Sequence, residues 1–361
     1  MNVVTLYTVL PEVGGSATIT LGLAEFYLRE GLRVNILVRR QPGYDYNREL
    51  AAQLRRLGAK VILVGSPNGN DRWAPLAAIC AAWRTRRGAL ISIGMGKGAA
   101  LLAKWGGFEK RFFYYINHDP DVSPVRNLGK AVQDFDAIVA ISPTSLESLS
   151  ALPTPPRETI WIPQFSELRM PVSAGRKPSF ESAPSFGFIG ALKESKGINL
   201  LLDIWRRNPA LGALHVLGDG PLRPTVEAAA TNDPRIQYGG RFSSEERDRI
   251  LPEFFGSVDW LLVPSIGHGE GIPTVILEAM SCGCPVIASN GGGTRAFAEQ
   301  PLASAFAEIV NVIPEASWER GLSELSHRPA PNEHFRQEVI DRYKAWFSDS
   351  VLGPKWKALL K

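Results

Sequence analysis

Cysteine is scarce in this chain of 361 residues, with only Cys80, Cys282 and Cys284. Three thiols so unevenly placed cannot build a disulfide framework. The close pair Cys282 and Cys284 has no companion His or Cys cluster, which argues against a metal site and for packing at a helix end. No apolar run approaches the ~20 residues that span a bilayer, and no tract is of low complexity. The opening "MNVVTLYTVLPEVGG" has neither the basic start nor the long apolar region of a secretory signal, so it reads directly as a strand and a loop. A cytoplasmic protein is the expectation. Nucleotide-cradle fingerprints are missing as well. "GMGKGAA" at 94–100 lacks the spacing and the Ser/Thr of a Walker loop, and Gly14–Gly15 lacks the three-glycine dinucleotide pattern.

What remains is an ordinary globular composition, 45% hydrophobic and 21% charged, in a chain longer than the roughly 250–300 residues at which one core stops growing. Two domains follow. Charge is uneven: residues 1–170 carry 20 Lys and Arg against 14 Asp and Glu, and the remainder 20 against 22. The basic stretches Arg39, Arg40, Arg48, Arg55, Arg56, Lys60 and Arg84, Arg86, Arg87 are either solvated helix faces or a surface for something anionic, a membrane or an acceptor. No nucleic-acid partner is implied.

Short apolar runs alternate with amphipathic stretches from the start. "NVVTLYTV", a helix from about Thr18 to Arg29 with Gly31 as its stop, and "RVNILV" form a βαβ opening. "KVILVG", "ALISIG", "FFYYIN" and "AIVAIS" continue it. This pattern predicts an α/β fold with a doubly wound parallel sheet. Residues 153–184, rich in Pro, Ser and Arg, read as a linker. "SFGFIG", "ALHVLG", "IQYGG", "WLLVPS" and "PVIAS" then build a second parallel sheet. The expected division is 1–165, 166–345, and a final helical segment 346–361, broken near Gly353 and Pro354 and returning to the first domain.

Four glycine-bearing loops follow predicted strands, at Gly14–Gly15, Gly190–Gly197, Gly218–Pro221 and Gly267–Gly271. Ligands of open parallel sheets collect at such strand ends, where glycine allows close backbone approach and a helix N-terminus offers free N–H groups to phosphate. "HDPD", His118 to Asp121, has a spacing able to hold a divalent metal, but one short motif is common by chance. Within "HGEGIPTVILEAMSCGCPVIASNGGG", 268–293, Glu278 lies in a helix apolar on nearly every side. A buried carboxylate costs several kcal/mol unless something polar meets it.

"GEGIPTVILEAMSCGCPVIAS" closely resembles the E-x7-E signature of the retaining glycosyltransferases of family 4, with Glu270 and Glu278 as its carboxylates. "FIGALKESKG", "LHVLGDGPLR", "IQYGG", "VDWLLVPS" and the early "VGG" stand around it in family order. The resemblance implies a GT-B fold, two facing Rossmann-like domains, binding a nucleoside diphosphate sugar without metal or other cofactor. It implies that Glu270 meets the donor sugar, Glu278 the ribose hydroxyls and Lys196 the diphosphate. The Gly15 loop would close over the phosphates, and His118 would lie near the transferring sugar. Gly190, Gly271, Ile272, Pro273, Thr274 and Val275 complete the donor set.

Each residue also has a plainer reading: a buried arginine as partner for Glu278, loop capping for Glu270, a solvated turn for Lys196 and a structural histidine for His118. With Pro273 as first helical residue, Glu278 would stand about 7.5 Å along the axis at ~1.5 Å per residue, a span that fits diphosphate followed by ribose. One departure stands out. The family pattern G-R-L-x-x-x-K-G reads "GALKESKG" here, with Ala191 at the arginine position and Lys193 or Arg241 as candidates for compensation.

The function implied is transfer of a sugar from a nucleoside diphosphate donor, UDP favoured over GDP, to the hydroxyl of a glycan or lipid-linked acceptor. Peripheral contact with the inner, anionic membrane face is part of that expectation. The alternatives are a sugar-nucleotide epimerase or hydrolase, and a catalytically impaired binding protein.

Overall fold

The structure, a computed structural model, describes all residues except 12–14, 41–45, 66–72, 86, 87, 95, 117–125, 151, 169–183, 244 and 267–270. The chain divides into two compact units. Unit 1 comprises Met1–Phe165, Gly269–Ile272 and Asp349–Lys361, and unit 2 comprises Ser166–His268 and Pro273–Ser348.

Unit 1 is built on β1 (Val3–Thr8), β2 (Arg33–Arg39), β3 (Lys60–Val64), β4 (Ala89–Ile93), β5 (Lys110–Tyr115), β6 (Ala137–Ala140) and β7 (Thr159–Trp161). They form one sheet in the order 3-2-1-4-5-6-7, with every pairing parallel. Helices α1 (Gly15–Arg29), α2 (Arg48–Arg56), α3 (Ala74–Arg84), α4 (Lys97–Trp105) and α5 (Pro143–Ser150) make the crossovers. Both sheet faces are covered, and the side-chain period of two sorts each strand between two cores. Val4, Leu6, Ile91, Phe112, Tyr114 and Val139 enter one cluster, while Tyr7, Leu90, Phe113, Tyr115 and Ile138 enter the other.

Unit 2 repeats the plan with β8 (Phe186–Ile189), β9 (Leu214–Leu217), β10 (Ile236–Tyr238), β11 (Trp260–Val263), β12 (Val286–Ser289) and β13 (Val310–Ile313), in the order 10-9-8-11-12-13 and again all parallel. Its helices are α6 (Ile198–Arg207), α7 (Arg223–Asn232), α8 (Arg247–Ser257), α9 (Thr274–Ser281), α10 (Leu302–Phe306), α11 (Trp318–Ser326) and α12 (Glu333–Phe347). In each sheet the strand order reverses once, between β1 and β4 and between β8 and β11. Such reversals open a crevice at the carboxyl ends of the strands.

Several expectations shift. Helix α1 begins at Gly15, three residues before Thr18. The proline-rich stretch expected to be only a linker contains β7, which adds a seventh strand beside β6. The final helical segment breaks at Ser348, whose backbone is extended and whose Oγ donates to Lys344 O, and not at Gly353–Pro354. The helix α13 (Asp349–Ala358) runs through both residues. Gly353 is there for packing: a Cβ on it would lie 2.8 Å from the Phe26 ring.

The break separates two aromatic anchors that are near neighbours in sequence. Phe347, on α12, packs in unit 2 against Phe297, Phe306 and Tyr343. Trp356, on α13, is fully buried in unit 1, edge-on to Tyr114 at 5.0 Å between ring centroids, and its carbonyl accepts from Tyr27 Oη at 3.3 Å. Leu352 and Leu359 enter the same core. Truncating a buried aromatic costs about 3–5 kcal/mol. Trp356→Ala is therefore expected to lose hydrogen-exchange protection in β1 and β5 while leaving β11 and β12 protected, and Phe347→Ala to do the reverse. Equal loss in both sheets from either variant would contradict this division.

Candidate functional site

The site lies in unit 2, at the carboxyl ends of β8 and β11. The chain leaving β8 turns through Gly190 and Ala191, forms one short helical turn at Glu194–Lys196, and enters α6 at Gly197. Gly197 adopts a left-handed φ of 74°, and a Cβ on it would lie 1.9 Å from Pro264 O. Only glycine permits that approach of the two loops. Ile266 N donates to Ser195 O at 2.9 Å, tying the β11 loop to the β8 loop. The β9 loop joins them through Leu192 N to Asp219 O at 2.9 Å, and Gly218, with φ 139°, leaves room for Gly190 O. Half-buried Lys196 stands at the end of this backbone lattice.

Beyond β11 the chain enters α9. Pro273 has φ −58° and ψ 127°, so it caps the helix and Thr274 is the first helical residue, one position later than expected. Its carbonyl accepts from Ile276 N at 3.0 Å. Thr274 and Val275, half-buried, occupy the first turn, where helix geometry supplies no internal acceptor for an N–H. Glu278 is thus four residues into α9, about 6 Å along the axis at 1.5 Å per residue.

Glu278 is 5% exposed, between Ile276, Leu277, Ala279 and Met280, all fully buried. Its Oε1 accepts a hydrogen bond from Arg247 Nη2 at 2.7 Å. The plainer reading of this carboxylate, a buried arginine, is present. Among the described residues Oε2 has no partner. Arg247 is the first residue of α8, its side chain only 16% exposed, and Nη1 donates outward to Asp248 at 2.8 Å. Burial opposes the Arg247 charge, but Glu278 and Asp248 outweigh it and hold its pKa above the usual arginine value. Ser281 Oγ donates to Glu278 O and accepts from Leu168 N, which fixes the last turn of α9.

Cys282 ends α9 as its C-terminal cap, and burial pushes its thiol up to about 12. It is a protonated packing group at neutral pH, not a nucleophile.

The donor residues expected from sequence fall into three groups. Gly190, Lys196, Pro273, Thr274, Val275 and Glu278 belong to unit 2. Gly15, exposed at the start of α1, belongs to unit 1, as do Gly271 and Ile272. A Cβ on Gly271 would meet Ile141 and Ile116 O, and Ile272 O accepts from Gln164 Nε2 at 3.1 Å. Glu270 and His118, with the rest of "HDPD", lie outside the described residues. Arg247 was missed. It sits in a run of charged residues, "SSEERDRI", that reads as a solvated helix start, and nothing local marks one of them as inward-facing. Of the residues suggested to replace the absent arginine, Lys193 and Arg241 are both exposed.

Two parallel α/β units with loops gathered at a strand-order reversal define the architecture of GT-B proteins. The chain aligns over its whole length with HepE of Anabaena in complex with UDP, at a TM-score of 0.74, 14% identity and coverage of 100% and 99% of the two chains. A TarM mutant of S. aureus, in complex with Fondaparinux, alpha-GlcNAc-glycerol and UDP, superposes at 0.72 with 10% identity and full coverage of both. These likenesses show the fold. Residues 183–310, which hold β8 to β12 and the whole unit 2 site, match the family described as glycosyl transferases group 1. That matched segment is about a third of the chain and lies entirely within unit 2 and the residues next to it in sequence.

Among sequence relatives, the D-inositol 3-phosphate glycosyltransferase of Streptosporangium roseum is 27% identical over 219 residues, 56% of this chain and 49% of that protein. The GDP-mannose-dependent alpha-mannosyltransferase of Mycobacterium tuberculosis is 31% identical over 167 residues, 44% and 40% of the two. The sulfoquinovosyl transferase SQD2 of Arabidopsis thaliana is 29% identical over 133 residues, 36% and 24%. The chain thus spans between about a quarter and a half of the curated relatives it matches.

Breaking a buried ion pair from one side strands the other charge, a loss that reaches about 3–5 kcal/mol for fully buried pairs. Arg247→Ala and Glu278→Ala are each expected to lower stability, and the double variant to be more stable than the sum of the two predicts by about 1 kcal/mol or more. Urea denaturation of all four proteins measures the coupling; strict additivity would mean that the two groups do not depend on one another.

Proposed function

We propose that the protein is a retaining glycosyltransferase that moves a hexosyl group from a nucleoside diphosphate sugar to an acceptor hydroxyl. One observation carries the reading: a buried carboxylate one turn into α9, with one oxygen held by Arg247 and the other open, beside a glycine-built loop at the strand-order reversal of unit 2.

In this reading Glu278 Oε2 accepts from the ribose hydroxyls while Arg247 holds the carboxylate in place through Oε1. The first-turn N–H groups of Thr274 and Val275 and the Lys196 ammonium take the diphosphate. As diphosphate leaves, its growing negative charge is met by fixed positive charge and by the α9 N-terminus, stabilisation exerted where the transition state develops it. Glu270 addresses the donor sugar and His118 the region of the transferring carbon, with Gly15, Gly190, Gly271, Ile272 and Pro273 shaping the walls. No side chain is assigned as a covalent nucleophile. Uridine as the base is supported by the UDP complexes of HepE and TarM and the UDP-glucose complex of HepE, all of the same fold. A glycan or lipid-linked glycan is the proposed acceptor, and a lipid-linked one brings the protein to a membrane surface.

A second reading, a sugar-nucleotide-binding protein with impaired turnover, is favoured by Ala191 at the position where the family pattern has arginine. Incubating purified protein with UDP- and GDP-sugars, alone and with acceptor extracts, separates the possibilities. Transfer that requires acceptor supports the proposal, donor breakdown or epimerisation without acceptor replaces it, and binding without turnover selects the impaired protein.

Removing the ribose acceptor is worth roughly 1.5–3 kcal/mol for a hydrogen bond to a charged group. Glu278→Ala is expected to weaken UDP binding by about 10- to 150-fold in calorimetry, with Glu278→Gln intermediate, whereas Glu270→Ala largely spares binding and lowers turnover. Unchanged UDP and GDP affinity in both Glu278 variants would remove its ribose role. Activity is also expected to survive EDTA, since the proposed chemistry uses no metal. Complete loss on chelation, restored by Mn²⁺ or Mg²⁺, would overturn that part of the mechanism.

A further inference from the structure

Helices α3 and α4 of unit 1 carry apolar side chains on their outward faces as well as on their buried ones, unlike an ordinary surface helix. Along α3 the exposed positions Trp73, Leu76, Cys80 and Trp83 recur at three- and four-residue intervals, so they form a single stripe. Leu101 and Trp105 stand one turn apart on α4. The stripes are continuous: α3 packs against α4, and Trp83 Nε1 donates to Trp105 O at 2.9 Å. Three of the nine tryptophans of the chain, Trp73, Trp83 and Trp105, are 71%, 60% and 57% exposed, with Leu76 at 51% and Leu101 at 44%. Exposed tryptophan scattered singly needs no explanation, but a joined apolar patch does.

Along the segment that forms it the charge is of one sign. Residues 72–108 contain six Lys and Arg and no Asp or Glu. Arg84, Lys97 and Lys104 are exposed on the same two helices, and Lys104 Nζ lies 5.6 Å from the centre of the Trp105 ring. Aromatic side chains with one wet edge, set among unopposed cations, match the chemistry of the lipid headgroup boundary: the rings enter the apolar margin while the cations meet lipid phosphate. A second copy of this chain is a poor occupant, because a two-fold contact would set this cationic surface against itself.

We propose that the α3–α4 face is a docking surface for an anionic lipid bilayer, with Trp73, Trp83 and Trp105 as the inserting groups and Arg84, Lys97 and Lys104 as the electrostatic contacts. Among the described residues no helix is long and apolar enough to cross a membrane. Sequence alone offered Arg84, Arg86 and Arg87 as one of two basic stretches, without the tryptophans that distinguish this one. The surface belongs to unit 1 and shares no residue with the proposed donor set, so its assignment does not depend on glycosyl transfer.

The test is co-sedimentation of the full chain with phosphatidylcholine vesicles and with mixed phosphatidylcholine–phosphatidylglycerol vesicles, together with tryptophan emission and an environment-sensitive dye on the exposed Cys80 thiol. Binding to the mixed vesicles only is expected, with blue-shifted emission from both reporters and loss at high salt, where surface charge is screened. Trp83→Ala with Trp105→Ala should reduce the bound fraction by about tenfold or more, since apolar insertion and charge act together. Arg84→Glu with Lys104→Glu should do the same without disturbing the rings. Both pairs should keep wild-type melting and wild-type UDP affinity, which separates failure of this surface from failure of the nucleotide site. Equal binding to both vesicle types, no binding to either, or self-association in lipid-free solution that the tryptophan variants abolish would each overturn the proposal.

Discussion

Parallel strands need long crossovers, and the helices that make them cover both faces of the sheet. In this chain that requirement turns the central strands inward: all six residues of β1 and all four of β11 are buried. A segment so apolar cannot carry chemistry. Polar and charged groups are left to the loops at strand ends and the first turns of the helices that follow, and the candidate residues Lys196, Thr274 and Arg247 all come from such places. Close backbone contact holds these loops in register. Gly197 against Pro264 and Gly218 against Gly190 have no room for a Cβ, so the loop geometry depends on main-chain contact more than on side chains.

Glu278 is the exception that the sheet does not explain. A carboxylate in the apolar part of α9 is tolerated because Arg247 reaches it from the start of α8. An ion pair of this kind is weak support for stability, since desolvating both groups opposes their attraction. Its effect is to hold a negative charge at a defined place in α9, with Oε2 unpaired among the described residues.

The apolar face of α3 and α4 follows another logic. Those helices bury Ala78, Ile79, Ala82, Leu102 and Ala103 beneath the sheet, so the domain core is complete without Trp83 or Trp105. Tryptophans that a core does not need, kept at the surface beside unopposed cations, are explained by what lies outside the molecule.

Much of this was legible in the sequence because it is local. Period-two apolar runs between helical stretches mark a buried parallel sheet, and the spacing from Pro273 to Glu278 puts a carboxylate one turn into a helix whether that helix starts at Pro273 or Thr274. The short edge strands β7 and β13, three and four residues long, were missed because so short a run has no periodicity to read; pairing with β6 and β12 makes them strands. The partner of Glu278 lies 31 residues away in a run of charges that looks solvated, and Tyr27 meets Trp356 across 329 residues. An apolar residue also looks the same in sequence whether it fills a core, as Trp356 does, or faces outward, as Trp83 does. The sequence by itself determined most of the strands and helices and placed a carboxylate inside an apolar helix, since these depend on neighbours within a few residues. Tertiary structure decided which arginine meets Glu278, which unit α13 joins and which tryptophans remain exposed, because each depends on surfaces that exist only once distant segments have packed.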